Sequence, residues 1–401
     1  MRILLVSQEF PPDTAHGGIA TQTAAKAAGL AARGHQVVVL TYAAGGRTGM
    51  QVRKDGVQVL RLEGPAGELA ARGEAWRWLG WSECVAAAIA AAEAPLDGSF
   101  DLIDFPEYGA EAFHHLMRRK SSGPLVAVQL HGPIGLLAAR LGWPEPGSEL
   151  ARIGPVLEAE CVRRADLVYS SSAASAAFVR DAYGLASRTI PVLHMGVDLQ
   201  AFRPAPQGED PVPRIVFAGR IAPAKGVADL FEACTRLAPD FPGLRLQLVG
   251  RSEDGLVERL RERSASLGLA GLLRVDGPLT NHDLPRALHG AWVFAAPSHC
   301  EGGPGFVYLE AMACGLPALA CAGTGAAEAV HDGTTGLLVP PGDPDAIAAA
   351  LRTLLGDGAL RRRMGAAGRA FVEERADRNA CIAGLEELYD HACAGRAARP
   401  R

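Results

Sequence analysis

Short apolar runs alternate with amphipathic stretches along almost the whole chain. Arg2 to Ser7 is continuously apolar, as a strand is when both faces of its sheet are covered. Pro11-Pro12 and Gly17-Gly18 punctuate the loop that follows. Ile19 to Arg33 then has helical periodicity and stops at Gly34, and Gln36 to Thr41 is apolar again. Further strands are predicted at Val57 to Leu62, entered through the Asp55-Gly56 turn, and at Asp101 to Phe105, Leu125 to Leu130 and Leu167 to Ser171. Helices are predicted from Trp76 to about Glu93 and from Ala173 to Asp181, the latter capped by serines.

The alternation starts again further along. Apolar runs at Arg214 to Gly219, Leu244 to Gly250, Leu272 to Asp276, Ala291 to Ala296, Pro317 to Cys321 and Gly336 to Val339 read as strands. Helical patterns lie between them, to about Leu237, from Asp254 to Ser266, from Asn281 to Gly290 and from Phe306 to Cys314. Helices close the chain, to about Leu355, Glu374 and Ala394, before a small basic tail from Gly395 that is expected to be disordered. Strands alternating with helices twice over predict an α/β protein of two Rossmann-like, doubly wound parallel-sheet domains facing a cleft. Four prolines and Gly208 mark 204–213 as the linker between a first domain, 1–203, and a second, 214–380.

Composition narrows the class without changing the fold. The 401 residues are 48% hydrophobic, and the net charge of -4 carries no nucleic-acid signature. Eight scattered cysteines lack metal-type pair spacing and suit a reducing compartment. No apolar span is long enough to cross a membrane, and Ile3 to Val6 is too short for a signal peptide. A cytoplasmic protein is expected, with peripheral membrane contact left open.

The chemistry concentrates after the Ala291 to Ala296 run. Ser298 to Pro317 reads strand, Gly-rich loop, helix, with Gly302, Gly303 and Gly305 in the loop and Gly315 ending the helix. A helix start presents unpaired N–H groups and the positive end of the dipole, which suits phosphate. Glu301 lies in the loop and Glu310 about one turn into the helix, within reach of hydroxyls on the same ligand. Gly219-Arg220 and Lys225-Gly226 follow the first strand of this half. There Arg220 can fork onto two phosphate oxygens and Lys225 adds a compact positive charge.

These motifs resemble the donor site of retaining glycosyltransferases with the GT-B fold, and the Gly-Arg … Lys-Gly segment resembles the family's phosphate motif. In that family seven residues separate the two glutamates; here eight separate Glu301 from Glu310. The resemblance is strong from Arg214 to Val339 and weaker before it. It implies a nucleotide diphosphate sugar donor, of UDP, GDP or ADP type, and a hexosyl or N-acetylhexosaminyl transfer. Arg220 and Lys225 would hold the diphosphate without a metal or other cofactor. Gly303, Gly305, Phe306 and Val307 would meet phosphate or sugar, Glu301 the sugar, and Glu310 the ribose. It also implies that Gly17 and Gly18 approach the donor, that His131 lies near the reacting carbon, and that the last helix, 381–401, crosses back to the first domain.

Other residues are candidates by position. Glu107 and Tyr108 follow a strand at the carboxyl edge of the first sheet, where ligands bind, and are expected acceptor contacts. His131 follows the next strand beside Gly132. Trp76, Trp78 and Trp81 fit either an acceptor groove or core packing. Asp343-Pro344-Asp345 has the spacing of a metal-diphosphate motif but reads as a helix cap with proline at the first helical position. Two other activities suit the same pattern: an epimerase or sugar phosphorylase of this fold, or a non-catalytic nucleotide-sugar or dinucleotide binder. The three-glycine dinucleotide fingerprint is missing from the first loop, which disfavours the last.

Overall fold

The computed structural model describes residues 1–12, 18–43, 46–65, 71–92, 100–120, 122–194, 196–280 and 282–397. The chain divides into two compact units, Met1–Met195 with Asn379–Arg401, and Gly196–Arg378.

The first unit is built on one seven-stranded sheet. Its strands are β1 (Arg2–Val6), β2 (Gln36–Tyr42), β3 (Gly49–Val52), β4 (Gln58–Leu62), β5 (Leu102–Pro106), β6 (Leu125–Leu130) and β7 (Leu167–Ser170). They lie in the order β3-β4-β2-β1-β5-β6-β7, and every pairing is parallel except β3 with β4. β3 has no apolar face to betray it, because all four of its residues are exposed. Asp55-Gly56 is therefore the turn of an antiparallel hairpin, with Gly56 at φ 82°.

Helices α1 (Gly18–Ala32), α2 (Glu74–Ala92), α3 (Phe113–Arg118), α4 (Ile134–Leu141), α5 (Glu149–Arg164) and α6 (Ala173–Ala182) surround the sheet. Ser172 caps α6, its side chain accepting from the Ser175 amide at 3.1 Å. Trp78 and Trp81 belong to the core, not to a groove. Trp81 is 1% exposed and donates its Nε1 proton to Glu111, while Trp78 packs edge-on against Tyr108.

The closing helix, Arg378–Ala397, packs on this unit. Its Tyr389 hydroxyl donates to Asp104 at 2.8 Å and stands 3.2 Å from the Tyr169 hydroxyl, while Glu386 pairs with Arg33 and His35. Gly395 and Arg396 are helical, and Arg396 pairs with Asp166 at 3.3 Å. The expected disordered tail is thus helix as far as Ala397.

A polar cluster crosses the floor of this unit. Lys26 of α1 is almost fully buried and pairs with Asp104, bonding also Gln129 at 2.8 Å and Tyr169 at 3.2 Å. A buried cation persists only when paired and hydrogen-bonded in this way.

The second unit holds an all-parallel sheet in the order β10-β9-β8-β11-β12-β13. The strands are β8 (Arg214–Ala218), β9 (Arg245–Val249), β10 (Leu273–Gly277), β11 (Val293–Ala295), β12 (Ala318–Cys321) and β13 (Gly336–Val339). Helices α7 (Val227–Leu237), α8 (Leu256–Ser266), α9 (Leu284–Leu288), α10 (Phe306–Ala313), α11 (Pro344–Gly356) and α12 (Gly358–Arg375) cover it. Asp343 caps α11, accepting from the Ala346 amide at 2.9 Å, and Asp345 pairs with Arg236.

The proline-rich 204–213 stretch is a strap of this unit instead of a free linker. Phe202 is buried in the second core, Glu209 makes two bonds to Arg361, and Asp210 pairs with Arg214. The division between units falls before it, at Met195 and Gly196. Among the described residues no helix is long and apolar enough to cross a membrane.

Candidate functional site

Strand order decides which loops meet. In the second unit the order reverses between β8 and β11, so the loops after these strands flank the crevice where an open parallel sheet binds ligands. One loop carries Arg220 and Lys225, the other Glu301 and the glycines.

The two loops are locked together by specific contacts. The His299 amide donates to the Ala224 carbonyl at 3.0 Å, and the Lys225 Nζ stands 2.6 Å from the Glu301 carboxylate. Gly226 sits at φ 65°, and a Cβ built there would lie 2.0 Å from the Pro297 carbonyl oxygen. Glycine at 226 is therefore demanded twice, by backbone conformation and by the neighbouring strand end. His299 also pairs with Asp229 of α7 at 2.7 Å.

Gly305 precedes α10 at φ 69°, and no side chain caps the helix. Its first amides, those of Phe306 and Val307, face the loop with the positive end of the helix dipole. Tyr308 is buried under the loop, its hydroxyl donating to the Ala296 carbonyl, and a Cβ on Gly305 would strike its ring. Gly325 backs the loop from the next segment, its amide donating to the Glu301 carbonyl at 2.9 Å, with Gly303 packed against it.

Glu310, the fifth residue of α10, is 5% exposed, and its carboxylate finds no hydrogen-bond partner among the described residues. Burial alone pushes it up to about 7. A buried carboxylate left without donors is costly to the fold, and hydroxyls of a ligand would satisfy it. Arg220 is largely exposed and pairs with Glu253 at 3.1 Å.

Within the second unit the structure thus gathers Lys225, Glu301, Gly303, Gly305, Phe306, Val307 and Glu310 at one sheet edge, with Arg220 on the same loop as Lys225. A cavity of about 820 Å³ in this unit lies elsewhere, lined by Arg214, Arg245 and Arg274 at the amino-terminal part of their strands. Asp210, Asp276 and Asp283 neutralise most of its cations.

In the first unit the order reverses between β1 and β5. Gly18 opens α1 with free space around its Cα, and Gly17 lies outside the described residues. His131 follows β6 and is half-buried, with Nδ1 enclosed and unbonded. Burial, then the nearby Lys26 charge, depress it to about 3, so the ring is neutral at physiological pH.

The acceptor role expected of Glu107 is corrected. This residue is 0% exposed, and its carboxylate accepts from the His131 and Gly132 amides. Tyr108 is half-buried against Trp78.

Sequence reasoning missed Glu158 and Glu111. Glu158 bonds the Ile134 amide and the Tyr183 hydroxyl, and Glu111 bonds the Gln8 amide and Trp81. The available signal was a carboxylate within an otherwise apolar face, Leu157, Glu158, Cys161 and Val162 in the case of α5.

Residues 200–371 match the family described as Glycosyl transferases group 1, and residues 17–196 match the Glycosyl transferase 4-like domain. The D-inositol 3-phosphate glycosyltransferase of Streptomyces bingchenggensis is 33% identical over 268 residues, covering 63% of this chain and 57% of the relative. That of Streptosporangium roseum is 33% identical over 274 residues, 65% of this chain and 61% of the relative. The chain thus spans less than two thirds of the length of these curated relatives.

Two solved structures share the fold. Sucrose-phosphate synthase from Thermosynechococcus elongatus superposes with a TM-score of 0.83 at 24% identity, over 98% of this chain and 99% of that one. Anabaena HepE in complex with UDP-glucose gives 0.73 at 21% identity, over 98% and 100%. With both units matched in sequence and the switch-point loops in place, the chain belongs to the group 1 glycosyltransferases of the GT-B fold.

Proposed function

We propose that the protein transfers a hexosyl or N-acetylhexosaminyl group from a nucleotide diphosphate sugar to an acceptor hydroxyl, with retention of anomeric configuration. One observation carries the reading: Lys225, the uncapped start of α10 and the unpartnered Glu310 carboxylate stand around the switch point of one sheet. A cation beside uncapped amides suits a diphosphate, and a buried carboxylate one turn along suits ribose hydroxyls.

In this reading Arg220 and Lys225 neutralise the charge that grows on the leaving diphosphate. Lys225 exchanges its bond to Glu301 for phosphate oxygens, which frees Glu301 to accept from sugar hydroxyls. The amides of Gly303, Gly305, Phe306 and Val307 complete the phosphate cradle. The C1–O bond to the diphosphate breaks and a C1–O bond to the acceptor forms on the same face. The acceptor proton passes to the departing phosphate oxygen. The neutral His131 imidazole is the group this reading assigns to hydrogen-bonding the sugar near its reacting carbon.

HepE was crystallised with UDP and with UDP-glucose, which favours a uridine nucleotide here. The curated relatives are named for D-inositol 3-phosphate, a polar acceptor and one candidate beside glycans and lipids. No disulfide joins any of the eight cysteines, which suits the cytoplasm.

The test is a screen of UDP-, GDP- and ADP-sugars against acceptors that include D-inositol 3-phosphate, with product anomers read by NMR. Transfer with retention that survives EDTA is expected, since protein cations carry the charge. Inverted product, or donor turnover to an epimer without acceptor, would overturn the reading.

A further inference from the structure

The turn that carries His131 is held from beneath by two carboxylates from distant parts of the chain. Glu107 follows β5, and Glu158 lies midway along α5; both are 0% exposed. Both oxygens of Glu107 stand 2.7 Å from the His131 amide, and one is 2.5 Å from the Gly132 amide. One oxygen of Glu158 accepts from the Ile134 amide at 2.9 Å and from the Tyr183 hydroxyl at 2.7 Å, while its other oxygen is enclosed without a partner.

The far side of the turn is equally constrained. A Cβ on Gly135 would lie 2.9 Å from the Phe178 ring, so the start of α4 cannot shift outward. Burying two carboxylates in one shell works against folding. Burial raises both groups, and the charge of Glu107 raises Glu158 further. A neutral side chain or a carbonyl would close a plain turn at lower cost. What Glu107 adds is two oxygens converging on adjacent backbone amides, which favour its ionised form against burial, and a charged acceptor binds amides about twice as firmly as a neutral one.

We propose that Glu107 and Glu158 are positioning residues for the transfer reaction. They fix the turn from His131 to Ile134 so that the His131 imidazole is held in one place at the carboxyl edge of the first sheet. They set turnover without touching either substrate. This rests on the reading of His131 as the group beside the reacting carbon.

The experiment is a double-mutant cycle in the full chain with the donor–acceptor pair found by the screen above. Glutamine cannot accept from both the His131 and Gly132 amides through charged oxygens, so Glu107→Gln is expected to lower kcat at least tenfold. The KM for donor should change less than twofold, and UDP binding by calorimetry should be unaltered. Glu158→Gln should give a smaller fall in kcat, and Glu107→Asp a partial recovery. His131→Ala combined with Glu107→Gln should be no slower than His131→Ala alone, whereas a general structural role gives additive losses.

In 15N-histidine-labelled protein, the His131 backbone amide should move upfield in Glu107→Gln, a readout that needs no turnover. Wild-type kcat in Glu107→Gln, with His131→Ala impaired, would overturn the proposal and leave the role of His131 standing. Additive losses in the cycle, or an unmoved amide, would also overturn it. Wild-type kcat in His131→Ala would remove the role of His131 and the proposal with it. Should Glu107→Gln fail to fold, Glu107→Asp and Glu158→Gln carry the same cycle, and non-additive or additive losses there support or overturn the proposal in the same way.

Discussion

Replacing Glu310 by glutamine separates what this carboxylate costs the fold from what it offers a ligand. The side chain is 5% exposed and unpaired, and burial raises it from 4.5 to about 7. At 1.36 kcal/mol per unit, that shift is worth about 3 kcal/mol. The folded pKa lies above the unfolded one, so the associated stability is fully present below pH 4.5 and is lost as pH rises through 7. Glutamine keeps its neutral state throughout. The stability advantage of Glu310→Gln should therefore grow by about 3 kcal/mol between pH 4.5 and 8. In a unit of about 180 residues this corresponds to roughly 6–12 °C in Tm. Thermal and denaturant unfolding of wild type and variant at pH 5 and pH 8, without nucleotide, reads the effect directly. The same variant should bind UDP about tenfold or more weakly at pH 8, since hydrogen bonds to a charged acceptor contribute about 1.5–3 kcal/mol. An equal Tm difference at both pH values would refute the reasoning, because a solvated or paired carboxylate has no such pH dependence.

Lys225→Ala should reduce transfer at least tenfold, about 1.4 kcal/mol of barrier, in steady-state kinetics; full activity would break the phosphate assignment. Gly226→Ala forces a Cβ to within 2.0 Å of the Pro297 carbonyl at φ 65°, so the loops after β8 and β11 must separate. It should abolish UDP binding in calorimetry while the first unit keeps its own unfolding transition. Lys26→Met leaves Asp104 buried without its cation and should destabilise the first unit by about 3 kcal/mol in denaturant unfolding.

Much of the second unit was legible in the sequence. Apolar runs bounded by glycine and proline located its six strands within about two residues, and Asp343-Pro344 announced the start of α11. The helices α3, α4 and α5 and strand β3 went unread in the first unit. β3 lies exposed at the sheet edge and buries no side chain, so no hydrophobic period marks it. Glu107 was misread because its place at a strand end is local information, whereas its burial depends on α5 and on the turn after β6.

By itself, the sequence determined the alternation of strands and helices, the glycines that end helices and make turns, the helix caps and the residue types able to hold a diphosphate. Each of these follows from interactions within a few residues of chain. Only the tertiary structure decided strand order, and so which loops stand side by side. It brought Lys225 to Glu301 across 76 residues, and it buried Glu107 and Glu158 against the backbone amides of the turn after β6. Burial and partnering are properties of what packs around a side chain, and that environment is assembled from segments far apart in sequence.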